Sequence, residues 1–140
     1  MPYPVELVQP MREELTVSGF QELRTAAEVD EVFEGKKGKV LLLINSVCGC
    51  AAGQARPGVI HALNNSSNKP EKLITVFAGQ DLEATERARS YIQGYPSSSP
   101  SIALFNDGEL VFMMERMHIE NRNAEMVADI LKDAFDQFYD

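Results

Sequence analysis

Two cysteines, no tryptophan and a shortage of positive charge set the first limits on this 140-residue chain. Two thiols do not staple a secreted disulfide scaffold, and by themselves they do not close a four-ligand zinc site. Thirteen lysines and arginines stand against 21 aspartates and glutamates, a formal net charge of −8. The basic residues are scattered, a poor grip for nucleic-acid phosphates or an anionic membrane surface, so neither is expected as a partner. No apolar run approaches the roughly 20 residues of a membrane span. The opening Pro2-Tyr3-Pro4-Val5-Glu6 has neither the basic start nor the apolar stretch of a secretory signal. The expectation is a cytoplasmic protein, in a compartment where structural disulfides are rare. What is present, 44% hydrophobic and 24% charged residues, is the balance of a soluble globular chain. It suffices for one domain over residues 1–140 that buries about two thirds of its unfolded surface.

Proline and glycine divide the chain into alternating helices and strands. Pro10 at a first turn, where its missing N–H costs nothing, predicts a helix that stops at Gly19, with Met11 and Leu15 on one face. Phe20–Leu23 reads as a short strand. Thr25 and Glu28 form a capping box for a helix that turns Val29, Val32 and Phe33 inward. Val40–Ile44, five consecutive apolar residues, reads as a central strand covered on both faces. A helix from Cys50 to Leu63 follows, kinked by Pro57. Next come a strand, Leu73–Phe77, and a helix capped by Asp81 with Arg87 and Arg89 toward its end. A hairpin of Ile102–Phe105 and Leu110–Met114 turns at Asn106-Asp107-Gly108. The last helix carries Val127, Ile130, Leu131, Ala134, Phe135 and Phe138 on one face. Right-handed crossovers make the early strands parallel, and the hairpin adds an antiparallel edge. That is the element order of a thioredoxin-like α/β fold: a three-layer α/β/α sandwich around a mixed sheet, with an extra N-terminal helix.

Cys48-Gly49-Cys50 lies between the end of the most buried strand and the next helix, the edge of an open α/β sheet where sites are built. Unpaired N–H groups and the positive end of the helix dipole favour a thiolate there. Gly49 removes bulk between the sulfurs and admits backbone angles that other residues resist. A disulfide between residues two apart closes a small, strained ring that is easily reduced. Cys48, at the exposed loop end, is the expected nucleophile; Cys50, one step into the helix, is the expected resolving thiol. Two other readings stay open from the residues alone. The pair could be small core residues or the two soft ligands of a metal carrier. His61 stands more than two helical turns beyond Cys50, and no metal ligand is assigned. Met113, Met114, Met117 and His118 suit core or groove lining better than a copper site.

Three neighbouring features complete the candidate site. Pro100, entering a strand, belongs at its first residue or edge; if the Ser99–Pro100 bond is cis, the backbone of Ser99 faces a visiting chain beside the cysteines, and if it is trans, Pro100 is a turn proline in a serine-rich loop. Gly79, ending a parallel strand at the same edge, is expected at the opposite lip. Arg56, two turns along the helix, is a candidate to hold a substrate carboxylate bidentately. Gly49, Gly79, Ser99, Pro100 and Arg56 are thus the expected substrate contacts.

The string Asn45-Ser46-Val47-Cys48-Gly49-Cys50-Ala51-Ala52-Gly53, continued by Ala55-Arg56-Pro57-Gly58, resembles the signature of the bacilliredoxin family. The likeness extends through Pro10–Leu15, Val76–Asp81 and Ser98–Ser101. It implies a thioredoxin-like fold and an enzyme, a thiol–disulfide oxidoreductase. Such an enzyme removes bacillithiol, or another low-molecular-weight thiol, from mixed disulfides on S-thiolated cytosolic proteins. The small thiol would be a co-substrate, with no cofactor bound. On this resemblance Cys48 matches the attacking cysteine, Cys50 the second cysteine, and Ser99-Pro100 the cis-proline position of the wider superfamily. General protein disulfide isomerase or reductase activity is the alternative within the same chemistry. The chain departs from the pattern twice. Thioredoxins carry a buried acid in the strand before the motif, where Leu41, Leu42 and Leu43 stand here. The further cysteine of some family members is also missing, so resolution falls to Cys50 or to an outside thiol.

Overall fold

The computed structural model describes residues 2–139. Its elements run α1 (Val5–Thr16), β1 (Gln21–Glu22), α2 (Ala26–Glu34), β2 (Lys39–Asn45), α3 (Arg56–Asn64), β3 (Lys72–Phe77), α4 (Leu82–Ser90), β4 (Ser101–Asn106), β5 (Glu109–Met114), α5 (Arg116–Ile119) and α6 (Ala124–Phe138). A π-helical turn, Ala51–Ala55, leads into α3.

The strands form one sheet in the order β1-β3-β2-β4-β5. The first three strands in that order are mutually parallel, whereas β4 is antiparallel to β2 and β5 to β4. This is the mixed sheet expected from the sequence, with the hairpin as its antiparallel edge. Asp107 and Gly108 both take positive φ, 51° and 84°, which gives the hairpin a turn twisted like its strands.

β2 is central because it has no polar face. Leu41 and Leu43 point into a core with Leu15, Val59, Leu104, Leu131 and Phe135. Val40, Leu42 and Ile44 point the other way, toward Val29, Phe33, Ala84 and Ala88. The alternation is the two-residue period of a strand, and the two cores place α1, α3 and α6 on one face and α2 and α4 on the other. Burying each of these aliphatic side chains stabilises the sheet by on the order of 2 kcal/mol.

Four local expectations are corrected. α1 begins at Val5, so Pro10 lies inside the helix. The carbonyl deprived of its partner belongs to Glu6, on an exposed turn open to solvent. The buried face of α1 is Val8, Arg12 and Leu15, with Met11 half-buried. Asp81 occupies the N-cap position of α4 but makes no side-chain cap. Its carboxylate instead takes a bidentate pair from Arg12, both bonds 2.8 Å, beneath which lies the ring of Phe77. Finally, the helix predicted from Cys50 to Leu63 is two pieces. The Arg56 N–H reaches back five residues to the Ala51 carbonyl, and Pro57 then stands in the first turn of α3. A widened turn absorbs the bond that proline cannot make.

The topology sets where a site can form. Asn45 of β2 pairs with Phe77 of β3, and Ile44 pairs with Ser101 of β4. The C-terminal ends of β2 and β3 and the N-terminal end of β4 therefore share one sheet edge. Residues 46–50, 78–81 and 97–100 all emerge there.

Candidate functional site

The cysteine loop leaves β2 through Asn45 and Ser46, both buried. Ser46 Oγ accepts the Cys48 N–H at 3.1 Å, and the Cys48 carbonyl accepts the N–H groups of Ala51 and Ala52. The chain thus turns into helix immediately after Cys48. This turn leaves the Cys50 N–H free of a backbone partner, and it donates to the Cys48 sulfur at 3.3 Å.

Both thiols are free, and their surroundings separate them. Burial pushes the Cys48 thiol up, but several contacts outweigh it and hold Cys48 below its ordinary value. These are donation from the Cys50 thiol and N–H, the charge of Arg116, and the Ala51 N–H. Cys50 is only 8% exposed. Burial, its S–H bond to Cys48 and the neighbouring negative charge raise its thiol to about 11. The pair is therefore one half-exposed sulfur poised to ionise and one covered sulfur that stays protonated beside it. Thiolate is the nucleophilic form, and hydrogen bonds to the charged form are what lower a thiol pKa.

A buried polar frame holds the loop from below. Arg56 is 2% exposed and donates to Asn45 Oδ1 at 2.7 Å, to the Ser46 carbonyl at 3.1 Å and to Glu14 Oε1 at 2.8 Å. Asn45 Oδ1 also accepts the Ser46 N–H, and Asn45 Nδ2 reaches the Met11 carbonyl of α1. The expectation that Arg56 binds a substrate carboxylate is thereby overturned. Its guanidinium lies inside the protein and is committed to the base of the cysteine loop. The strand before the motif carries no acid, and the polar group under the site is this amide–guanidinium frame.

Other expected site residues fall around the same edge. Gly49 is exposed, and nothing lies within 4 Å of a side chain built on it. It does not need a positive φ, so what it supplies is open space beside the sulfurs rather than a special backbone angle. The Ser99–Pro100 bond is cis, with Ser99 half-buried and Pro100 buried at the start of β4. Gly79 takes a φ of +81° and lies against the ring of Tyr3, whose backbone N–H and carbonyl both bond to the Gln80 side chain.

Arg116 was not singled out by sequence reasoning. It is exposed at the start of α5, and its Nε pairs with Glu120. Its N–H donates to Ser98 Oγ and its Nη1 to the Ser99 carbonyl, at 3.4 and 3.5 Å. Its charge bears on both cysteines. Strand register was the available signal: Met114 pairs with Ile102, which carries residue 116 across from Pro100. The methionines do not converge. Met114 is buried, Met117 is exposed, and His118 Nδ1 accepts the Glu115 N–H. Among the described residues, no group of three or more His, Cys, Asp or Glu side chains gathers where an ion could sit, and no helix is long and apolar enough to cross a membrane.

Comparison with known proteins places this geometry. A family described as Disulphide isomerase matches residues 3–139. A bacilliredoxin of Salinibacter ruber is 55% identical over 139 residues, 99% of this chain and 82% of that protein. A bacilliredoxin of Koribacter versatilis is 52% identical over 97% of this chain and 93% of that protein. Among solved structures, a mutant thioredoxin from Halobacterium salinarum superposes with a TM-score of 0.58 at 18% identity, covering 88% of this chain and 93% of that one. Thioredoxin O2 of Arabidopsis thaliana gives 0.56 at 16% identity over 88% and 96% of the two chains. The fold is thioredoxin-like.

Proposed function

From the premise that the chain belongs to the bacilliredoxin family, and so to the thiol–disulfide oxidoreductases, we propose that it strips bacillithiol, or a similar small thiol, from mixed disulfides on cytoplasmic proteins. The observation that carries this reading is the unequal pair: a half-exposed Cys48 sulfur receiving the N–H of a buried Cys50 at 3.3 Å.

The Cys48 thiolate attacks the small-thiol sulfur of the mixed disulfide in line with the S–S bond. A new S–S bond forms between Cys48 and the small thiol, the old one breaks, and the target cysteine leaves as a thiolate that takes a proton from water. The target is reduced, and its disulfide equivalent now resides on Cys48. Cys50 then loses its proton and attacks the Cys48 sulfur, releasing the small thiol as thiolate and leaving a Cys48–Cys50 disulfide. Alternatively, a second small thiol attacks the small-thiol sulfur of the adduct, yielding the symmetrical small disulfide and free Cys48. Burial still raises the Cys50 thiol in the adduct, although the contribution of the Cys48 thiolate is gone there, so both routes of resolution are open to this site. Ser99 and Pro100 at one side and Gly49 at the other bound the approach of the substrate.

The test is to incubate Cys50→Ala with a bacillithiolated protein and weigh the products. A stable adduct of one small thiol on Cys48 is the expected result; no adduct, or an equal adduct on Cys48→Ala, contradicts the assignment. The description of the matching family as Disulphide isomerase favours a second reading, rearrangement of protein disulfides. Reactivation of scrambled ribonuclease faster than removal of the small thiol would select it.

A further inference from the structure

Arg116 is bonded to two separate parts of the site. On one side its backbone N–H donates to Ser98 Oγ at 3.4 Å and its Nη1 to the Ser99 carbonyl at 3.5 Å. That loop enters β4, which pairs with the strand delivering Cys48. On the other side its Nε pairs with Glu120 at 3.1 Å, and the Glu120 carbonyl accepts Gln54 Nε2 at 3.4 Å. Gln54 belongs to the π-helical turn that starts directly after Cys50. The guanidinium is thus tied to both the serine loop and the turn that carries the cysteines. Its side chain is 48% exposed, so an ion from solvent can reach it, and among the described residues its Nη2 meets no acceptor. The cysteine turn presents exposed Gly49, Ala52 and Gly53, and side chains built on the two glycines would meet nothing within 4 Å. A small molecule joined to Cys48 therefore has room beside the sulfur.

Exchange changes the charge that Arg116 faces. Before it, the Cys48 thiolate is the anion on which the guanidinium bears; afterwards Cys48 is a neutral disulfide. Arg116 then keeps only Glu120, an exposed i,i+4 pair of little worth. The atoms that replace the thiolate belong to the small thiol, because its sulfur is the one bonded to Cys48. A guanidinium with a free donor edge matches a carboxylate. Glu120 alongside disfavours a dianion such as phosphate, since like charges repel.

We propose that Arg116 is a specificity-determining residue, whose free donor edge holds a carboxylate of the small thiol as the mixed disulfide meets Cys48 and while the thiol is parked there. The proposal rests on the thiol-exchange reading above and narrows its substrate to a small thiol that bears a carboxylate. It also gives the anion-binding role expected of Arg56 to a different arginine, one that reaches solvent.

The experiment compares two small disulfides, 3,3′-dithiodipropionic acid, which carries carboxylates, and 2-hydroxyethyl disulfide, which carries none, by the initial rate at which each modifies Cys48. The ratio of the two rates within one protein cancels the thiolate fraction, which Arg116 also sets. Arg116→Gln is expected to lower the acid-to-neutral ratio about fourfold, the worth of an exposed ion pair. Arg116→Lys keeps the charge but not the planar fork and is expected to recover only part of that loss. Glu120→Gln, which removes the rival carboxylate, is expected to raise the ratio. An unchanged ratio in Arg116→Gln overturns the proposal. Full recovery in Arg116→Lys overturns it too, because charge alone would then suffice without a seat. If neither disulfide modifies wild-type Cys48, the exchange reading fails, and the seat is decided by alkylation, which needs only the thiolate. A ratio of iodoacetate to iodoacetamide rates that falls in Arg116→Gln and is not restored in Arg116→Lys supports it. The same ratio in wild type and Arg116→Gln overturns it.

Discussion

The backbone N–H of Cys50 points at the sulfur of Cys48 across 3.3 Å. That single contact exists because the Cys48 carbonyl is already taken by the N–H groups of Ala51 and Ala52, so the turn into helix leaves one donor facing the sulfur. It ties the spacing of the motif to its chemistry: with one residue between the cysteines, the second supplies both a backbone and a thiol donor to the first.

Arg116 adds charge to that donation from the far side of the serine loop. Replacing it by Gln is expected to raise the Cys48 pKa, because a favourable charge on the thiolate is lost. Cys48 alkylation at neutral pH should then slow, with its pH midpoint displaced upward. Added salt should shrink the difference between wild type and variant, since the guanidinium is exposed and screened. An unchanged midpoint would mean that the charge of Arg116 does not reach the sulfur.

Arg56 is a different kind of arginine. Its truncation to Ala removes donors from Asn45 Oδ1 and the Ser46 carbonyl and leaves a hole under the cysteine loop. A loss of about 3 kcal/mol in urea unfolding is expected, the scale for breaking a buried charged network by removing one partner. Arg56→Lys should recover little of it, because a single ammonium does not reproduce the planar fork. Full stability in Arg56→Ala contradicts the structural role.

Asp81 gives a similar test of a local correction. Were it capping α4, Ser would replace it at small cost, serine being as good a cap. Since its carboxylate is instead paired with buried Arg12 at 2.8 Å, Asp81→Ser leaves that guanidinium only its 3.2 Å bond to Glu22 and is expected to cost about 2 kcal/mol. A urea midpoint close to that of the wild type would restore the capping role.

The parts of the fold legible in the sequence were those fixed by local pattern. The leucine run of β2 has one solution, a strand with cores on both faces; Thr25 and Glu28 make the capping box they encode; Asp107 and Gly108 make the turn. Misread features were those decided by a distant partner. Asp81 is claimed by Arg12, 69 residues away in sequence, and Arg56 by Glu14, 42 residues away. In each, local propensity named a plausible role and a tertiary ion pair took the side chain for another. Pro57 announced a disturbance of the helix, but its form, a π-helical turn, depended on where α3 had to pack. The two cysteines were visible from the motif, whereas Arg116 entered only through the register of β4 and β5.

Alkylation of the reduced protein with iodoacetamide as pH is raised, read at each cysteine by peptide mass, tests the division of labour between the sulfurs most directly. Thiolate reacts and thiol does not, so each rate rises with pH through the pKa of its own cysteine. With iodoacetamide limiting, the expected result is that Cys48 reacts first, with a midpoint below that of an ordinary thiol, while Cys50, raised by burial and by its neighbour, lags well behind it at every pH below about 11. Equal rates at the two positions, or modification of Cys50 before Cys48, would contradict the account.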